Sequence, residues 1–231
     1  MEGIGKSAVA EFIATFALIF IGAGAVLVAG ADGGGLVGIA IAHGLTLAIM
    51  VSIFAHISGG AVNPAVAIGL WVTGKLDTPR TGVYLTAELL GAAAGAFMLK
   101  LVVPGAIFDA GKGGTPLVNT AVGMGVGKAV LLEAVLTFFL VLAVYGTAVD
   151  DRGPLSKTAG LTIGLVLTFD ILAGGPLTGA AMNPAREFGP ALASGTWTDW
   201  WVYWIGPIAG GIIGGVVYWA VFLRGKEPAT P

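Results

Sequence analysis

The chain has 231 residues, 56% of them hydrophobic and 10% charged, with mean hydropathy +0.93. A soluble domain carries about 25% charged residues, so this composition excludes an ordinary water-facing surface. The net charge of −2 gives no basic excess for nucleic acid, and the absence of cysteine excludes disulfides, thiolate zinc sites, iron–sulfur clusters and cysteine nucleophiles.

A membrane-spanning helix needs about 20 apolar residues at ~1.5 Å rise each. Six stretches meet that length or approach it: residues 8–30, 36–56, 82–103, 128–149, 157–173 and 200–223. The first follows Lys6 and ends on Ala29-Gly30-Ala31, which mimics a signal-peptide cleavage site, but its apolar run is too long for a leader. After the second and the fifth stretch come shorter apolar segments that open Asn63-Pro64-Ala65 and Asn183-Pro184-Ala185. Asn is a strong N-cap residue and Pro is favoured at the first helical position, so each box starts a helix. Ten apolar residues make about 15 Å of helix, half a bilayer. Small residues precede each box, Ser58-Gly59-Gly60-Ala61 and Thr178-Gly179-Ala180-Ala181. Irregular backbone at membrane depth is tolerated where it lines a watery cavity, so the two segments predict a pore.

The two halves repeat. Gly44 precedes Asn63 by 19 residues, as Gly164 precedes Asn183; Ser58 and Thr178 both sit five before, and Gly69 and Gly189 six after. Glu11 opens Glu-x-x-x-Thr-Phe in the first span, and Glu133 opens the same pattern in the fourth. Three spans per half force opposite topologies, so residues 1–231 read as one channel domain built from inverted repeats of about 1–115 and 120–231. The fold class is an all-α integral membrane protein with six transmembrane helices and two re-entrant half-helices. With the N-terminus in the cytoplasm, Lys6, Lys75, Arg80, Arg152, Lys157, Arg224 and Lys226 fall inside and Lys100, Lys112 and Lys128 outside, which places both termini inside.

The paired boxes, with Ala10-Glu11-Phe12, His56-Ile57-Ser58-Gly59-Gly60-Ala61-Val62 before the first and Arg186-Glu187-Phe188-Gly189-Pro190 after the second, resemble the aquaporins, or major intrinsic proteins, over nearly the whole chain. The resemblance implies a passive channel, a homotetramer with one pore per subunit, and a narrow filter made of His43, Ile171, Ala180 and Arg186. Water-selective members of the family carry an aromatic in place of His43 and a His in place of Ile171. The combination here is similar to that of plant tonoplast aquaporins, which pass water and often ammonia, urea or other small neutral solutes. Glu187 stands where glycerol channels carry an acid, but Ala191 is not basic, and Tyr203-Trp204 is the bulky pair of the water-conducting branch.

The side-chain amides of Asn63 and Asn183 are expected to donate to passing oxygens while their carbonyl oxygens cap the half-helices. The backbone carbonyls of Gly59, Gly60, Ala61, Gly179, Ala180 and Ala181 are expected to form an acceptor ladder. Two helix N-termini with partial positive charge then raise the energy of any cation or proton at the junction. Glu11 and Glu133 are symmetric intramembrane carboxylates, which suits acceptors for loop N–H groups better than a proton relay. Glu88 and Asp170 read as protonated or hydrogen-bonded acids between helices, and Asn119 as a fifth contact over the filter. No cofactor or metal is expected.

The function expected is a channel for water and for ammonia or other small neutral solutes, closed to protons and ions. A glycerol or urea facilitator and an ion-coupled secondary transporter are the alternatives; no His-Glu-x-x-His, Gly-x-Gly-Asp or Ser/His dyad supports an enzyme. Short termini suggest a prokaryotic cell membrane, with a plant vacuolar membrane as the alternative.

Overall fold

The computed structural model describes residues 3–29 and 34–225; Gly30, Ala31 and Lys226, which entered the span and topology readings, lie outside the described residues. Within them every regular element is helical. In order come α1 (Ile4–Val28), α2 (Gly35–Ser58), α3 (Pro64–Val72), α4 (Thr78–Val102), α5 (Gly105–Ala110), α6 (Val126–Val144), α7 (Ala159–Thr178), α8 (Pro184–Ser194) and α9 (Val202–Tyr218). Single π-turns extend α6 through Val149 and, directly, α9 through Leu223. Six helices of 22 to 25 residues are long and apolar enough to cross a membrane, and α3 and α8, at 9 and 11 residues, are half-length. The outward faces of the long helices carry exposed Val9, Ile13, Leu45, Leu131, Leu161 and Leu165. That is the pattern of a multi-pass membrane protein, whose apolar outer faces meet lipid.

Packing follows the repeat. α1 lies on α4 and α2, α6 lies on α9 and α7, and α2 crosses α7. At that crossing Gly44 and Gly164 face one another so closely that a Cβ on either would strike the other's carbonyl oxygen. Gly91 and Gly95 admit the backbone of α1 in the same way, and Gly210 and Gly214 that of α6. α3 packs on α9 and α8 on α4, so each half-helix rests mainly on the last long helix of the other half.

Several boundaries differ from the sequence reading by two to five residues, α1 among them, which begins at Ile4; for two of them the cause is visible. α4 begins four residues earlier than the apolar run, because the Asp77 carboxylate caps it by accepting from the Arg80 N–H at 2.8 Å. α7 runs through Pro176 to Thr178 instead of ending near Ala173. The last carbonyls of a helix have no partner of their own. Here the Asn119 side chain donates to the Pro176 carbonyl and the Asn119 backbone N–H to that of Leu177, both at 2.9 Å, so the final turn is held despite its proline.

Candidate functional site

The two half-helices meet at their N-termini. Asn63 and Asn183 both have extended backbone, and their Oδ1 atoms accept from the N–H of Ala65 at 2.8 Å and of Ala185 at 2.9 Å. Their Nδ2 atoms reach across: Asn63 donates to the Met182 carbonyl at 2.8 Å and Asn183 to the Val62 carbonyl at 2.9 Å. The sequence reading assigned the whole amide NH2 to passing solutes. Each amide instead spends one N–H on stapling the two half-helices, which leaves one N–H per asparagine for the lumen that both residues line.

Val62 and Met182 take positive φ of 53°, a conformation that costs a β-branched or long side chain about 1–2 kcal/mol. Buried carboxylates hold them there. Glu11 accepts from Ala61 N–H at 3.1 Å and Val62 N–H at 2.6 Å. Glu133 accepts from Ala181 N–H at 3.1 Å, Met182 N–H at 2.8 Å and the Thr178 hydroxyl at 2.7 Å. The hydroxyls of Tyr84 and Tyr203 donate to the carbonyls of Ser58 and Thr178, at 2.6 and 2.8 Å, and brace the loops from behind. Glu88 adds an acceptor on one side only: its Oε1 takes the Asn63 N–H at 3.1 Å, while Oε2 has no partner among the described residues. Sequence reasoning singled out the two symmetric glutamates but missed Val62 and Met182. Their signal was positional, since both stand immediately before the box asparagine.

The lumen runs past the staple to a waist. It offers about 20 Å³ to the centres of water molecules, against the ~10–15 Å³ that one water needs. Its wall is largely two-fold: Leu18 answers Leu140, Leu47 answers Leu167, and the backbone of Gly60 and Ala61 answers that of Ala180 and Ala181. The exceptions are polar. His43 stands where the other half has Ile163, and Arg186 where it has Val66. These two side chains, both buried, are joined: Arg186 Nε donates to His43 Nε2 at 3.0 Å. His43 Nδ1 lies 2.9 Å from the Ile39 carbonyl, so the ring carries its proton on Nδ1 and accepts through Nε2. Arg186 Nη1 donates to the Gly114 carbonyl at 2.8 Å. With two of the five guanidinium N–H groups so engaged, the others remain for solute.

Two glycines make this arrangement possible. A Cβ on Gly22 of α1 would stand 2.5 Å from His43 Cδ2 and Nε2, so only glycine leaves room for the ring; the equivalent residue in the other half is Val144, which lines the lumen itself. Gly114 has φ of +77°, and a Cβ there would lie 2.7 Å from the Ala23 carbonyl oxygen. The Asn119 side chain donates to the end of α7, and the residue lines the vestibule over the filter together with Ile171 and Arg186; Gly114 is the loop residue that bonds Arg186.

Beyond the waist a vestibule of about 480 Å³ opens between the connecting loop and α7, and Ile171, Gly179 and Arg186 line it. Arg186 therefore faces both spaces and Ile171 the wider one. Ala180, at φ of 45°, lines the lumen. Gly59 lies at the opposite mouth, on clefts of about 520 and 250 Å³. Glu187 turns away from the lumen and accepts from Trp204 Nε1 at 3.0 Å. Asp170 is fully buried, and neither of its oxygens has a partner among the described residues; nothing in the structure explains it.

Residues 3–218 match the profile of the family described as Major intrinsic protein. The chain belongs to that family. It is 44% identical to Aquaporin TIP4-4 of Zea mays over 98% of this chain and 91% of that one. Identity to Aquaporin TIP2-1 of Arabidopsis thaliana is also 44%, over 96% and 89% of the two chains. Among solved structures, the X-ray structure of the aquaglyceroporin from Plasmodium falciparum superposes with a TM-score of 0.84 at 26% identity, covering 95% of this chain and 97% of that one. As a major intrinsic protein the chain is a passive membrane channel and not an enzyme, and its fold is the six-helix, two-half-helix arrangement that the paired boxes predicted.

Proposed function

We propose that this major intrinsic protein conducts water and ammonia, excludes protons and ions, and passes glycerol weakly. The observation that carries the reading is the asymmetric waist: a cationic Arg186 fixed to a neutral His43, facing a lumen whose side chains, Asn63 and Asn183 apart, are apolar. A solute entering from the vestibule passes Ile171, which offers no hydrogen bond, and Ala180, which adds almost no bulk. Ammonia resembles water in size and asks for fewer hydrogen bonds, so an apolar wall costs it less. Glycerol needs several hydrogen-bond partners at once, and the largely apolar wall supplies few.

Exclusion of charge rests on two fields. Arg186 repels cations at the waist. Deeper in, the N-termini of α3 and α8 abut, each with roughly half a positive charge. The remaining N–H of Asn63 and of Asn183 donates to a water oxygen there, which turns that water's hydrogens outward and interrupts a proton wire. Glu11 and Glu133 serve as structural acceptors, and their use of both oxygens on loop N–H groups favours this over ion coupling.

The relatives' names favour the water reading over the glycerol facilitator that the Plasmodium structure represents. They are plant proteins and so favour a plant vacuolar membrane over a prokaryotic cell membrane. We assign both ends of the chain to the cytoplasm from the distribution of Lys and Arg, and a homotetramer from family membership. The test is stopped-flow measurement of proteoliposomes with water, ammonia, urea and glycerol gradients. Ile171→His with His43→Phe is expected to abolish ammonia flux and keep most water flux. Wild-type protein that passes water but no ammonia above empty liposomes refutes the ammonia reading.

A further inference from the structure

The face on which α1 begins carries a polar cleft of about 520 Å³, and four basic side chains from separate elements line it: Lys6 in the first turn of α1, His56 in the last turn of α2, Lys75 in the α3–α4 connection and Arg80 in the first turn of α4. One acid stands close by. Asp77 lies 3.6 Å from Arg80, but its Oδ1 is committed to capping α4. Among the described residues, Lys6, His56 and Lys75 have no carboxylate partner. Two other cations of this face are already engaged: Arg152 pairs with Asp150 at 2.5 Å, and Arg224 lies over the Trp219 ring at 5.5 Å.

This placement is electrostatically unfavourable for the protein alone. The N-terminus of a helix is its positive end, and a cation in the first turn is disfavoured by several tenths of a kcal/mol. Lys6 and Arg80 both occupy first turns, and both line the same cleft. An anion in the cleft would reverse the sign of both interactions and satisfy all four basic side chains.

The repeat supplies an internal control. Residues equivalent to His56, Lys75 and Arg80 in the second half are Pro176, Gly195 and Asp199 or Trp200; only Lys6 has a basic equivalent, Lys128. The space differs too. A Cβ on Gly179 would meet Pro116 at 2.9 Å, because the connecting loop fills that position, whereas one on the equivalent Gly59 would meet nothing within 4 Å. In the second half the connecting loop stands over Gly179, and the equivalent space is the vestibule of about 480 Å³, whose one basic lining side chain is Arg186. The cluster of four basic side chains therefore does not come from duplication of the fold.

We propose that this cleft is a binding site for a phosphate group beside the pore mouth. The mouth shares Ser58, Gly59, Lys75 and Tyr84 with it, so a bound phosphate sits next to the entrance. The phosphate can belong to an anionic lipid headgroup or to a soluble phosphate compound; the chemistry of recognition is the same.

The test compares the full-length wild type with His56→Gln/Lys75→Gln/Arg80→Gln and with Lys112→Gln/Lys128→Gln, which removes cations from the opposite face. Binding is measured in phosphatidylcholine nanodiscs with added inorganic phosphate, by phosphorus NMR, and by native mass spectrometry of retained lipid from nanodiscs containing phosphatidic acid. The expected result is at least a tenfold loss of binding in the triple variant and less than twofold in the control. Binding in the inorganic arm assigns a soluble ligand; binding in the lipid arm alone assigns a headgroup. No binding by the wild type in either arm, or equal loss in both variants, overturns the proposal. Size-exclusion chromatography and a thermal melt of the triple variant, both expected to match the wild type, show separately that the protein is folded and assembled.

Discussion

Replacing Gly22 by Ala tests whether the waist is set by the fit of His43. The new Cβ would lie 2.5 Å from two ring atoms, and ordinary contacts begin at 3.4 Å, so the ring must retreat by about 1 Å. The ring lines the lumen and is bonded to Arg186, so its displacement narrows the lumen or strains that bond. An imidazole face of roughly 20 Å² advancing about 1 Å sweeps roughly 20 Å³, more than the ~10–15 Å³ that one water needs. The lumen leaves the centres of water molecules only about 20 Å³, so water permeability per channel should fall at least about tenfold, equivalent to ~1.4 kcal/mol on the barrier. Stability should fall modestly, since overpacking costs about 1–3 kcal/mol and the helix preference of Ala over Gly returns only about 0.8–1 kcal/mol. Stopped-flow light scattering of proteoliposomes, normalised to folded protein, together with a thermal melt, reads both. The double variant Gly22→Ala/His43→Ala removes the clash and should recover water flux. Unchanged permeability in Gly22→Ala, or no recovery in the double variant, would refute the seating of His43 by Gly22.

Three further substitutions follow from the same geometry. Asn183→Asp puts a carboxylate between the half-helix N-termini and loses the donor to Val62, so measurable proton or cation leakage and reduced water flux are expected; a proton-tight variant with normal water flux contradicts the electrostatic reading. Glu133→Leu leaves the Ala181 and Met182 N–H groups and the Thr178 hydroxyl without their acceptor, at about 1–3 kcal/mol each, and should give a protein that fails to assemble; size-exclusion chromatography showing a normal assembly with normal flux would refute the structural role. Outside the spans, hydrogen bonds from the Arg152 side chain hold the Asp150 carboxyl down at about 2 from its ordinary 3.8. Because the folded value is the lower one, the stability it contributes is present above about pH 4 and lost as pH falls toward 2; the melting temperature should drop over that window less steeply in Asp150→Asn.

The re-entrant helices were legible because their signals are local: an Asn cap, a Pro at the first position, and a short apolar run after small residues. Arg186 and His43 were legible as breaks in a repeat. What joins them was not. Gly22 reads in sequence as one of many packing glycines, and only the approach of α2 shows that it seats a ring. Gly114 sits in a loop whose path no periodicity encodes, so Asn119 was the more conspicuous polar candidate, although its donors go to the end of α7. The crosswise bonds of Asn63 and Asn183 were hidden for the same reason, since their partners are backbone carbonyls that carry no side-chain signature. Pro176 misled the span boundary because tertiary hydrogen bonds compensate the helix end.

The most direct measurement puts water and proton flux on one preparation. Wild-type proteoliposomes carrying an internal pH dye are given an osmotic step in one run and a pH step under a clamped membrane potential in another. Water permeability well above that of empty liposomes, with proton conductance indistinguishable from theirs, is the predicted result. Proton flux that rises with protein content, or water flux no faster than lipid alone, would contradict a stapled, positively polarised waist.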